Sequence, residues 1–110
     1  MDKKLLKEIN HLHAEVCGGL SDPKRIAILY VLAEGSKNVM ELAENLEMPQ
    51  PTISRHLKIL RERGMVIAER QGATINYTLA DKRIIKALDL LRQVLADHLT
   101  KRSALADAIA

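Results

Sequence analysis

Apolar positions recur at helical spacing along most of this chain and alternate in one short region. From Lys3 to Gly18, Leu5, Ile9, Leu12 and Val16 form one stripe, which predicts a first helix over about residues 3–18. Gly18-Gly19 is expected to end it, because glycine readily takes the left-handed conformation at a helix C-terminus. Ser21-Asp22-Pro23 opens a second helix, with Ser21 or Asp22 as cap and Pro23 in the first turn. Ile26, Leu29, Tyr30, Val31 and Leu32 make it apolar on more than one side, so it should be central and buried, ending at Glu34-Gly35. Ser36 or Asn38 can cap a short third helix carrying Val39, Leu42, Ala43 and Leu46, and Glu47-Met48 forms a turn.

A fourth helix runs to about Arg63, where Gly64 stops it. Ile53, Leu57 and Leu60 fall in one narrow stripe, while Pro51, Arg55, Lys58 and Glu62 lie roughly opposite, flanked by Thr52 and Ser54. The period then changes. MVIAERQ and TINYTLA are rich in β-branched residues and alternate about a Gln71-Gly72-Ala73 turn, which predicts one β-hairpin. Asp81 or its neighbours can cap a last helix over about residues 82–100. Its stripe is Ile84, Leu88, Leu91, Leu95 and Leu99, broadened by Ile85 and Val94, and the tail KRSALADAIA either continues it or frays.

The expected fold is therefore mainly α with a small β-hairpin, a single domain over residues 1–110. Helices three and four form a helix-turn-helix, with small Ala43 where they cross, and the hairpin that follows would be a wing beside it. This combination is far more specific than either part. The first and last helices both carry apolar stripes that one thin domain cannot easily bury, and a two-fold dimer would cover them.

Composition narrows the reading. The chain has no Phe and no Trp, and Tyr30 and Tyr77 are its only aromatics, so its core must be aliphatic and it lacks a platform for stacking unpaired bases. The net charge of +3 is modest, but Arg55, Lys58, Arg61, Arg63 and Arg70 outnumber Glu62 and Glu69 between residues 55 and 70. Cys17 is the only cysteine, which excludes an intramolecular disulfide and a zinc-finger pattern and suits a reducing cytoplasm. MDKKLLKEIN lacks the apolar core of a signal peptide, and no apolar run approaches membrane-spanning length, so a cytoplasmic protein with no membrane partner is expected.

A helix held down by its aliphatic edge and displaying short polar groups and cations suits the major groove of double-stranded DNA, although ordinary amphipathic surface helices share that division. Gln50, Thr52, Ser54 and Arg55 occupy its first turns. Gln50 can pair with adenine and Arg55 with guanine, and Thr52 and Ser54 can reach bases or phosphates. His56, Lys58, Arg61 and Arg70 are phosphate candidates, with His56 near enough to the apolar edge to be structural instead. Asn76 and Tyr77 are expected to build the wing. Enzyme chemistry is not indicated: Ser54 and His56, two apart on a helix, point to different sides, and no phosphate-binding glycine loop or carboxylate cluster appears.

SDPKRIAIL (Ser21–Leu29), ELAENL (Glu41–Leu46), QPTISRHLKILRERGMV (Gln50–Val66) and ERQGATINYTL (Glu69–Leu79) resemble the ArsR/SmtB family of winged-helix repressors, and the likeness covers nearly the whole chain. The resemblance implies a homodimer joined through first and last helices. It also implies repression of transcription from a palindromic operator, and release of that DNA when an effector binds. In such a dimer the recognition helices would stand about one DNA turn, roughly 34 Å, apart. Three positions depart from the family pattern: Glu47 stands where glycine is common, Pro49 replaces a capping serine, and Ala73 replaces a basic residue after the wing glycine.

No effector site is legible. The cysteine pair that metal-sensing members place in the third helix is absent from NVMELAENL. The last helix offers Asp81, Asp89, Asp97 and His98 but no second histidine one turn away. His11, His13 and Cys17 on the first helix are the remaining soft ligands, with His98 near them only in a dimer, and Cys17 could serve a thiol switch only through an intermolecular bond, an adduct or a sulfenate. No cofactor is expected. The alternatives to an effector-released repressor are an effector-independent or architectural DNA-binding protein of the same fold and a redox-responsive repressor acting through Cys17.

Overall fold

The computed structural model describes all 110 residues. Helix α1 (Lys3–Leu12) is capped by the Asp2 side chain on the Lys4 amide and continues through a π turn, His13–Cys17, into Gly18 and Gly19. Helix α2 (Pro23–Leu32) starts with Asp22 accepting from the Lys24 amide, as expected. A two-residue strand β1 (Lys37–Asn38) follows, then α3 (Val39–Leu46), α4 (Gln50–Glu62), β2 (Val66–Gln71), β3 (Thr74–Leu79) and α5 (Arg83–Ile109).

The expected helix order and wing are present, and two expectations are corrected. The sheet has three antiparallel strands in the order β1-β3-β2, because Lys37 and Asn38 pair with Tyr77 and Asn76. Of the two courses open to the tail after about residue 100, it takes the helical one, and α5 extends to Ile109. Gly18 and Gly19 stay helical, Gly18 with φ −59°, and are not left-handed caps. This end of the first helical segment lies close to the end of α4: a β-carbon on Gly19 would lie 2.5 Å from the Met65 sulfur, and one on Gly18 2.8 Å from the Arg63 guanidinium, each the far end of a flexible side chain.

Local signals set the remaining boundaries. Asn38 and Glu41 make a reciprocal capping box at the start of α3. Glu47 closes that helix with φ 53°, carrying out in a non-glycine residue the left-handed turn that leads into α4. Pro49 precedes α4 without a side-chain cap. In the wing, Gln71 pairs with Thr74, which leaves a two-residue turn with Gly72 at φ 65° in its first position.

The core is aliphatic throughout. Ile28, Leu29 and Leu32 of α2 pack with Leu42 of α3 and Ile53, Leu57 and Leu60 of α4, and Met65, Val66 and Leu88 close the cluster. The stripe read in α4 is thus its anchor, and α2 is the central helix. Most of α1 and α5 lies outside this core: Leu5, Leu6, Ile9 and Leu12 on α1 are exposed, as are Leu91, Val94, Leu95 and Leu99 on α5.

Candidate nucleic-acid interface

Burial of Ile53, Leu57 and Leu60 fixes the rotation of α4 about its axis and so decides what it displays. Gln50, Ser54, Arg55, Lys58 and Arg61 are exposed, and Thr52 is half-buried. Ser54, Lys58 and Arg61 share one ridge at i, i+4, i+7 spacing, and Arg55 stands beside it, leaning like Gln50 toward the N-terminal end. Neither Arg55 nor Lys58 is engaged in an internal ion pair. The polar atoms of this face are therefore free for an external partner. The helix begins with Gln50 and Pro51 in its first turn, where proline removes no needed donor.

The wing stands beside that face. Asn38, Val39 and Met40 at the start of α3, Ser54 of α4, and Ala73, Thr74, Ile75 and Tyr77 of the hairpin line an open cleft of about 360 Å³. Arg70 is exposed on β2, paired across the ladder with Ile75. Asn76 donates to the Gln71 side chain at 2.6 Å and Tyr77 packs half-buried against the core, so both serve the wing's own structure.

His56 is the exception among the expected contacts. It is only 5% exposed, and its Nδ1 lies 3.3 Å from a guanidinium nitrogen of Arg25, itself 8% exposed. Burial argues against the phosphate role expected of His56 and assigns it to the interior. Burial, opposed by the nearby Asp22 carboxylate and helped by the positive charges of Arg25, Arg55 and Lys24, holds its pKa below the ordinary histidine value. Sequence reasoning did not single out Arg25, since nothing in its spacing sets it apart from Lys24.

The weak metal and redox candidates do not converge. His13 and Cys17 lie in the π turn with Cys17 exposed, and His98 lies exposed on α5. Within one chain, no group of three or more His, Cys, Asp or Glu residues is placed to hold a metal ion.

A helix-turn-helix whose second helix stands free beside a three-stranded wing defines the winged helix-turn-helix class. Residues 22–68 match the model of the bacterial regulatory protein arsR family. The HTH-type transcriptional regulator MJ1325 of Methanocaldococcus jannaschii is 39% identical over 82 residues, spanning 74% of this chain and 92% of that protein. The chain belongs to the arsR family, which is made of transcriptional regulators and not of enzymes.

The HTH-type transcriptional repressor SmtB of Mycobacterium tuberculosis is 42% identical over 78 residues, 71% of this chain but only 58% of the repressor's length. The solution structure of the homodimeric winged helix-turn-helix DNA-binding domain of Mb0332 from Mycobacterium bovis is also similar. It superposes with a TM-score of 0.75 at 27% identity, covering 90% of this chain and 91% of that one. No helix of the protein is long and apolar enough to cross a membrane.

Proposed function

We propose that this protein is a homodimeric, sequence-specific DNA-binding repressor that acts in the cytoplasm and leaves a palindromic operator when an effector binds. The observation that carries the reading is the free face of α4, where Gln50, Thr52, Ser54 and Arg55 lead and Lys58 and Arg61 follow. The first four have the donor and acceptor geometry to read base edges, and Lys58, Arg61 and Arg70 supply phosphate contacts that add affinity without sequence preference. The similarity to the repressor SmtB and to the homodimeric Mb0332 domain supports repression and dimerisation.

The unit proposed is a single winged-helix domain over residues 1–110 whose partner covers the exposed leucines of α1 and α5. That cover would remove from water Leu5, Leu6, Ile9 and Leu12 of α1 and Leu91, Val94, Leu95 and Leu99 of α5. Cys17 is exposed and free, so a thiol-responsive version of the same repressor remains the second reading. The test is a gel shift with a palindrome from the protein's own promoter against random DNA of equal length. The reading predicts clear preference for the palindrome. Equal affinity would instead support an architectural protein of the same fold.

A further inference from the structure

The most buried cation in the protein joins three parts of the fold. Arg25, in the first turn of α2, donates through Nε to the Gly19 carbonyl at 2.8 Å and through one terminal nitrogen to the Gly18 carbonyl at 3.3 Å. The same nitrogen lies 3.4 Å from the Ser21 hydroxyl, and the other lies 3.3 Å from His56 Nδ1 in the middle of α4. Guanidinium has donors only, so Nδ1 must be the unprotonated, accepting nitrogen of a neutral ring. A second link lies about two turns further along α4: Arg63, at its C-terminal end, donates to the Ala14 carbonyl inside the π turn. A β-carbon at either glycine would meet the side-chain end of Arg63 or Met65, which shows how near α4 lies.

We propose that Arg25 is a positioning residue for DNA recognition, tying the recognition helix through neutral His56 to the glycine-rich end of α1, so that the seating of α1 sets the attitude of α4. This rests on the reading of the chain as a dimeric DNA-binding regulator. The helix that carries the leucines offered to a partner is the helix whose last carbonyls Arg25 holds. Lysine cannot replace it, because an ammonium's three donors leave from one nitrogen and cannot span both carbonyls and the imidazole as the guanidinium fork does.

The link is also proton-sensitive. Every charged group near the imidazole bears on it: Asp22, Lys24 and Arg25 at the start of α2, and Arg55 on α4 itself, while α1 presents only carbonyls and Ser21 its hydroxyl. Asp22 is the single anion among them, and its carboxylate accepts from the Lys24 amide. Protonating His56 would set two cations 3.3 Å apart in a buried site and remove the acceptor that Arg25 uses. Acidification otherwise adds positive charge to a protein and strengthens its hold on phosphates. A loss of specific binding at low pH therefore runs against the general trend and marks this link.

The experiment measures binding of the palindromic promoter duplex and of a scrambled duplex by fluorescence anisotropy, from pH 7.5 to 5.5, alongside dimer state and thermal stability. For wild type we expect preference for the palindrome at pH 7.5 that falls as acid protonates His56, by less than tenfold at pH 5.5 because its pKa lies below the ordinary 6.5. Arg25→Lys should lose about tenfold at pH 7.5 while remaining dimeric. His56→Asn places an amide oxygen near the Nδ1 position and cannot titrate, so it should keep its preference and show a flat pH profile. If Arg25→Lys fails to fold, the comparison of wild type with His56→Asn still decides. Arg25→Lys binding like wild type, or His56→Asn with the wild-type pH profile, would overturn the positioning role. A wild type with no preference at pH 7.5 would contradict the functional reading itself.

Discussion

The Tyr30 hydroxyl donates to an Asp89 carboxylate oxygen at 2.6 Å, and Arg92 lies 3.3 Å from that same oxygen with its guanidinium carbon 5.2 Å above the tyrosine ring. These contacts fasten the root of α5 to α2, the central helix. They hold in place a helix whose outer half touches little else, and so they bear on how any partner is met.

Removing this bond should weaken the fold without abolishing it. Tyr30→Phe keeps the ring and the contact with Arg92, and should cost about 0.5–1.5 kcal/mol in urea unfolding. Burial and the bonded Asp89 carboxylate push the phenol above its ordinary 10.0. Its contribution is therefore fully present below pH 10 and lost as pH rises through the higher folded value, because the unfolded chain releases the proton first. Wild type should lose stability more steeply than Tyr30→Phe in that alkaline range. Parallel curves would remove Tyr30 from the account.

Glu47 stands at φ 53° between α3 and α4, a conformation that disfavours a side chain. Glu47→Gly should raise stability by about 0.5–1 kcal/mol, the relief of strain being partly offset by the greater freedom of glycine in the unfolded chain. Thermal unfolding checks the sign, and a destabilised variant would mean that the Glu47 side chain makes a favourable contribution exceeding that strain.

Leu91 is 62% exposed on α5 and borders an apolar groove of about 440 Å³ shared with Leu12, Val16 and Leu20 of the first helical segment and its exit. Leu91→Asp should leave the protomer folded, since it removes no core contact, and should shift light scattering from dimer to monomer mass at micromolar concentration. A variant that is still dimeric would place the interface elsewhere.

Much of this was legible in the chain because burial imposes period. Ile53, Leu57 and Leu60 could be read as the anchor of α4 from spacing alone, and all three are buried. Asp22 and Asn38 cap where their side chains allowed it. Strand β1 was not legible, because two residues, Lys37 and Asn38, carry no alternation and owe their strand form to pairing with β3. Gly18-Gly19 carries a turn signal in the sequence, yet both residues stay helical, because the π turn runs on through them beside Arg63 and Met65. Arg25 and His56 were hidden for a related reason: each type is usually exposed, and only the fold brings one to the other. On α4 the spacing of the apolar stripe implies which residues are exposed, and of the two roles open to His56, phosphate contact or structure, its burial favours the second.

The central claim is that the free face of α4 reads sequence, and Arg55 tests it most directly. The measurement is the ratio of affinities for the palindromic promoter duplex and a scrambled duplex at one fixed salt concentration, for wild type and Arg55→Ala. Loss of one bidentate base contact costs about 1–3 kcal/mol, so Arg55→Ala should lower the ratio roughly tenfold or more. Binding to scrambled DNA at low salt should survive, carried by Lys58, Arg61 and Arg70. An unchanged ratio in Arg55→Ala would contradict the account.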